Sequence, residues 1–167
     1  MAIEVRWRAF PLHPETPQEG RTLEALFADR PVDIPGMIKH LKIVAAAEGL
    51  PFGNRTRTYN SRLAQEMAKW AETKGRGEAF HLAAFRAYFA DGKNIAESDN
   101  LLEMANSVSL NPEEARKIIT DRTFSPAVDA DWQLARHLDI RAVPTFMWGQ
   151  ERLVGAQPYE VLKKFVT

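Results

Sequence analysis

The sequence contains no cysteine. Disulfides, thiolate metal sites and thiol nucleophiles are therefore excluded among its residues. Nor does it carry an excess of charge: 22 Lys and Arg face 22 Asp and Glu, for a formal net charge of zero. That argues against a commitment to nucleic acid or to an anionic membrane surface. No apolar run approaches the roughly 20 residues a bilayer requires, so no membrane span is expected. The opening MAIEVRWRAF alternates instead of joining a basic stretch to an apolar one. No secretory signal is read there, and a cytoplasmic location is the expectation. The four histidines, His13, His40, His81 and His137, include no pair at the i, i+4 spacing of a zinc helix, so no metal site is expected. Gly75-Arg76-Gly77 joins two helical stretches where a nucleotide loop would follow a strand, and G-x-S-x-G is absent.

What remains is ordinary globular material. The 167 residues are 45% hydrophobic and 26% charged, enough for one domain or for a core with a sizeable insertion. Ile3–Phe10 alternates, with Ile3, Val5 and Trp7 on one face and Glu4, Arg6 and Arg8 on the other, the period of a half-buried strand. Pro11, Pro14, Pro17 and Gly20 then forbid regular structure. A short helical turn is expected near Leu23–Ala28. Asp33 caps a helix carrying Ile34, Ile38, Leu41 and Ala45, with Gly49 at its C-terminal stop. After a loop from Leu50 to Thr58, Asn60 or Ser61 caps a helix with Leu63, Met67 and Trp70. Glu78–Ala90 follows with an aromatic face of Phe80, Phe85, Tyr88 and Phe89, read as core between helices and sheet.

Further helices are expected from Ser98 or Asp99, from Asn111-Pro112 and from Ser125-Pro126. In the second, Asn111 is the cap, Pro112 takes the first helical position, and Glu114 is spaced to reach back. Thr145–Trp148 and Glu151–Val154 form a hairpin about Gly149-Gln150. A last helix starts at Gln157-Pro158 and carries Val161, Leu162 and Phe165.

The segments VRWRAFPLHPETPQEG, NSRLAQEMAKWA, FRAYFADGKNI, and AVPTF followed by VGAQPYEVLKK together resemble the DsbA-like thioredoxin family, in particular its FrnE-type branch. More distantly they resemble 2-hydroxychromene-2-carboxylate isomerases and kappa-class glutathione transferases. The resemblance implies an α/β fold. It would have a partial thioredoxin-like sheet (a strand plus a C-terminal hairpin and helix) in residues 1–22 and 122–167, with a large all-helical DsbA-type insertion in 23–121. It also implies a cis bond into Pro144, with Val143, Pro144 and Thr145 offering their backbone to an extended peptide or protein thiol substrate. Asn60 matches a residue near the glutathione site of the isomerase-like branch, although a plain N-cap is the favoured reading. The turn Gln150-Glu151-Arg152 has a counterpart there too, against the simpler reading of a solvated hairpin tip. Arg55, Arg57 and Arg62 cluster and have the chemistry to hold a carboxylate. Two family glycines are replaced, by Asp139 and Ala142; alanine does not tolerate a positive φ, so the path into Pro144 is expected to differ.

Family members open with a strand and a Cys-X-X-Cys helix, or with serine in place of the first cysteine. This sequence is read as opening at the family's second strand. Thiol exchange needs a thiolate activated at a helix end and a second thiol to resolve the mixed disulfide. Neither is present, so no catalytic residue is assigned. The absent first strand would leave two open edges, closed by Ile3–Phe10 pairing with Thr145–Trp148 or by a homodimer completing the sheet. Three readings follow. The chain is a relative of the DsbA/FrnE thiol–disulfide oxidoreductases that is not redox-active by itself, a non-catalytic thioredoxin-like binding module, or a relative of the glutathione-dependent isomerases and transferases. No cofactor is required by the residues; glutathione enters through resemblance alone.

Overall fold

The structure, a computed structural model, describes residues 3–167. It divides into a central unit, His13–Val128, and a terminal unit that joins Met1–Leu12 to Asp129–Thr167.

The central unit is helical because its caps and stops are written locally. Asp33 accepts from the Gly36 N–H at 3.0 Å and starts α2 (Ile34–Ala47), and Gly49 at φ 68° ends it. Before it come β1 (Arg21–Thr22) and α1 (Leu23–Leu26). After it, β2 (Arg57–Thr58) pairs antiparallel with β1, Arg21 opposite Thr58 and Thr22 opposite Arg57. This two-residue ladder falls where the sequence predicts only loop; strands so short carry no readable period.

Helix α3 (Arg62–Thr73) presents Met67, Trp70 and Ala71 to the core, all essentially buried. They pack with Phe80 of α4 (Gly77–Phe85), Leu101 of α5 (Ser98–Ser107) and Ala115 of α6 (Pro112–Asp121). Asn111 caps α6 by accepting from the Glu114 N–H at 2.9 Å. The Glu114 carboxylate does not complete a capping box. It takes Lys74 Nζ at 2.6 Å and Trp70 Nε1 at 3.3 Å, tying α6 to α3.

Two departures from expectation concern apolar faces. The helix after Gly75 is not uniformly α: Arg86–Ala90 is a π turn, which re-aims the side chains that follow. Phe80 joins the core, but Phe85 is left 45% exposed, so the aromatic face is not one continuous core surface. Tyr88 and Phe89 instead gather Phe52, Tyr59 and the Arg55 guanidinium, which lies 5.0 Å from the Tyr88 ring centre. Gly53 permits this, because a Cβ there would collide with the Ala90 carbonyl. Second, α2 has the predicted apolar spacing yet no buried residue.

The terminal unit holds the C-terminal half of α7 (Ser125–His137), the hairpin of β3 (Thr145–Trp148) and β4 (Glu151–Val154), and α8 (Tyr159–Phe165). Thr145 pairs with Val154 and Trp148 with Glu151. Gly149 takes φ 60° while Gln150 is not among the positive-φ residues, the φ pattern of a type II′ turn. The predicted strand at Ile3–Phe10 does not form: residues 3–11 join no ladder, and among the described residues β3 pairs with β4 alone. A period of two marks a face able to be buried, but a strand exists only where a second strand accepts its backbone bonds. Here Ile3, Val5 and Trp7 are 45%, 71% and 43% exposed. Among the described residues, no helix is long and apolar enough to cross a membrane.

Candidate functional site

The approach to Pro144 begins at the end of α7. Ile140 N–H bonds to Ala135 O at 2.9 Å and Asp139 N–H to Arg136 O at 3.0 Å, with Asp139 left-handed at φ 51°. This is a glycine-type helix stop built on aspartate, the non-glycine residue that bears it with least strain beside asparagine. Arg152 reaches from β4 to the exposed helix end, its guanidinium donating to Leu138 O at 3.0 Å and Asp139 O at 3.4 Å. A cation there satisfies free carbonyls and suits the negative end of the helix dipole. Arg152, expected at a turn site, thus serves the framework.

Ala142 is not among the positive-φ residues, so the chain turns at Asp139 and then runs on to a cis Val143–Pro144 bond. The Thr145 hydroxyl donates to Ala142 O at 2.7 Å, and Pro144 O accepts from the Gly155 N–H at 2.8 Å. The hairpin therefore clamps Pro144 and Thr145 from one side. Val143 is left out of this net. It is 43% exposed, and its N–H and C=O bond to no other described residue.

Beside Val143 lies a cavity of about 110 Å³. Its wall is mainly apolar, from Phe10, Leu134, Leu138, Ile140, Val143 and Met147. Residues 8–10 are held at its rim by Asp131, a carboxylate 3% exposed. One oxygen takes Arg8 Nη1 at 3.0 Å and the other takes the Ala9 N–H at 2.9 Å. Asp131 and Arg8 carry no motif and were not singled out in the sequence. The available signal is that Asp131 stands between Val128 and Ala135 on the buried stripe of α7, where a charge needs a partner.

Of the residues expected at the site, Val143, Pro144 and Thr145 line one continuous turn. Asn60 belongs to the central unit, and there its amide is fully engaged. Nδ2 donates to Thr16 O at 2.7 Å and Pro14 O at 3.2 Å, while Oδ1 accepts from the Arg62 N–H at 2.9 Å. It fastens the 13–16 loop to the start of α3.

The three arginines do not converge. Arg57 donates to Glu19 O and Gly20 O, and Arg55 lies over aromatic rings. Arg62 joins Arg122 on Glu66, at 2.8 Å and 2.7 Å. Glu66 is 1% exposed. Burial alone would raise its pKa, but hydrogen bonds from Arg122 and Arg62 outweigh this and lower it. His81 is shifted down, chiefly by burial against the opposing pull of Glu72. Among the described residues, no group of three or more metal-binding side chains is gathered.

Comparison with known proteins places this geometry. The model of the DSBA-like thioredoxin domain matches residues 1–167. The protein YwbO of Bacillus subtilis (strain 168), itself uncharacterized, is 28% identical over 176 residues, covering 99% of this chain and 82% of that protein. A probable DsbA oxidoreductase from Streptomyces coelicolor superposes with a TM-score of 0.88 at 28% identity, over 95% of this chain and 72% of that one.

Proposed function

Since the chain belongs to the family of DSBA-like thioredoxin domains and has no cysteine for thiol–disulfide exchange, we propose that it works by docking. The ligand would be an extended peptide segment, lying along Val143–Thr145 with one apolar side chain in the adjacent cavity. The observation that carries this reading is the open backbone of Val143 beside an apolar cavity of about 110 Å³. Main-chain bonds to Val143 supply affinity in the manner of strand addition, and the cavity supplies preference for a medium-sized aliphatic residue. Pro144 and Thr145 fix the turn, and Asp131 fixes the opposite rim through Arg8 and Ala9. Asn60 serves the proposal as a structural clip. Within the family we assign the chain to the FrnE-type branch, on the run Val154–Leu162.

Two measurements test this. The chain is expected to leave dithiothreitol-driven insulin reduction at the buffer rate; acceleration would refute the argument from cysteine. A blocked peptide of alternating valine and serine, titrated into labelled protein, is expected to shift the amide signals of Val143, Thr145 and Met147. Shifts elsewhere, or none at millimolar peptide, would sink the docking site.

A further inference from the structure

Between Glu48 and Glu66 the chain has three arginines and no acidic residue, and the fold satisfies them unequally. Arg62 shares the Glu66 carboxylate with Arg122, and Arg57 donates to Glu19 O and Gly20 O. Arg55 makes no hydrogen bond or ion pair with any described residue, and its Nε is buried without an acceptor. Two rings hold it instead. The guanidinium carbon lies 5.0 Å from the Tyr88 ring centre and 5.6 Å from that of Phe89. Such contacts fix a cation in place but leave its charge whole.

The platform under Arg55 is built from several elements of the central unit. The Tyr88 hydroxyl donates to Thr58 Oγ1 at 3.0 Å, and Phe52 stacks on Phe89 with ring centres 6.0 Å apart. Tyr88 and Phe89 both sit in the π turn Arg86–Ala90, a departure from α geometry that recurs at functional sites. The Gly53 N–H donates to Phe89 O at 2.8 Å, so the loop carrying Arg55 is tied to that turn. Among the Arg55 nitrogens Nε is the one buried without a partner, which leaves Nη1 and Nη2 to meet a ligand. From Phe89 an apolar strip continues at helical spacing through Phe85, 6.4 Å away ring to ring, to Leu82, and both of these are exposed.

We infer that Arg55 anchors an interaction surface for an acidic peptide segment of another protein. An aspartate or glutamate carboxylate is taken end-on by Nη1 and Nη2, and a neighbouring aromatic side chain lies on Phe89 and Phe85. Charge complementarity selects this occupant. Two parallel N–H donors match the two oxygens of a carboxylate. The fork is already oriented by the rings and is weakly hydrated, so little freedom and little solvation are lost on pairing. A nucleic-acid backbone would call for several uncommitted cations in a row, whereas Arg57 and Arg62 are both engaged within the fold.

The inference goes beyond the peptide site at Val143 and is read at different residues. The full chain is titrated with the blocked dipeptide acetyl-Phe-Glu-amide and followed by NMR. The Arg55 Nε–Hε signal and the Tyr88 and Phe89 ring signals are expected to shift and to saturate at millimolar peptide, while the Val143 and Thr145 amides stay in place. Acetyl-Phe-Gln-amide keeps the shape without the charge and is expected to bind roughly tenfold or more weakly, as is the acidic peptide to Arg55→Gln. Arg55→Lys keeps the charge without the fork and is expected to fall between. Phe85→Ala is expected to weaken acetyl-Phe-Glu-amide and to leave acetyl-Gly-Glu-amide as it was. Arg55 donates no hydrogen bond within the fold, so Arg55→Gln should keep the wild-type helical circular dichroism; the Glu and Gln peptides compared on the wild type need no variant. Equal binding of those two peptides overturns the inference, as do shifts that pass over Arg55 and Phe89. So does 3-phenylpropionate or inorganic phosphate binding as tightly as the acidic peptide, since the site would then take a small anion and not a peptide.

Discussion

Replacing Asp131 with alanine isolates what ties residues 8–10 to α7. In the wild type one buried carboxylate accepts the Ala9 N–H at 2.9 Å and Arg8 Nη1 at 3.0 Å. Losing a charged acceptor from the amide costs about 1.5–3 kcal/mol. The Arg8 side chain is 56% exposed, so solvent screening limits its share to about 0–1 kcal/mol. The sum is about 1.5–4 kcal/mol, which in a chain of this size lowers Tm by roughly 3–16 °C. Asp131→Asn keeps a carbonyl acceptor for the amide and is expected to lose less than half as much. Thermal melts give the total, and amide exchange assigns it: Ala9 and Phe10 exchange faster in Asp131→Ala, while Met67 and Trp70 in α3 do not. Unchanged melting, with the Ala9 amide as protected as before, would refute the account of the rim.

Other outcomes follow from the central unit. Glu66→Ala leaves two guanidiniums without their buried acceptor and is expected to cost about 3–5 kcal/mol, read by urea unfolding. The Glu66 pKa is lower in the folded state, so its contribution is present above the ordinary carboxylate range and is lost as pH falls through the folded value. Wild-type stability should therefore drop on acidification more steeply than that of Glu66→Gln. Phe80→Ala, at a fully buried ring, is expected to cost about 3–5 kcal/mol. Ile43→Ala, on a side chain 61% exposed, should stay within about 0.5 kcal/mol. A large loss at Ile43 would mean that α2 is covered.

The legible parts of this molecule are those decided within a few residues. Asp33, Asn111, Gly49 and Gly149 each act through bonds or φ angles set by their immediate neighbours, and each does in the structure what its local chemistry dictates. The cis bond into Pro144 was legible only through the family resemblance, since the local sequence alone favours a trans proline at the start of an edge strand. Two kinds of feature were not readable. The π turn at Arg86–Ala90 inserts one residue into a helix whose apolar spacing looks regular from outside. Arg62 is one helical turn from Glu66, but Arg122 lies 56 residues from Glu66, Arg8 123 from Asp131 and Leu138 14 from Arg152, and no local rule couples these distant positions. Asn60 shows the same limit from the other side. Its place before α3 predicts a cap, but the two bonds to Pro14 and Thr16 are visible only once the chain has folded.

The fate of Ile3–Phe10 carries the argument furthest. Periodicity records which side of a segment is fit for burial, whereas pairing depends on a second backbone at about 4.8 Å. The central unit meets both conditions internally: Trp70, Phe80, Met67 and Leu101 close a core, and its one buried carboxylate, Glu66, holds two arginines. The terminal unit meets them only in part. Among the described residues its buried ones are Asp131 and Ala135, its hairpin is paired on one edge, and the Val143 backbone bonds to no other described residue. Free energy that folding has not used in that unit is available to association. A chain without a reactive sulfur can act through such a surface: Val143 offers one turn and a cavity, a fit for a single peptide strand.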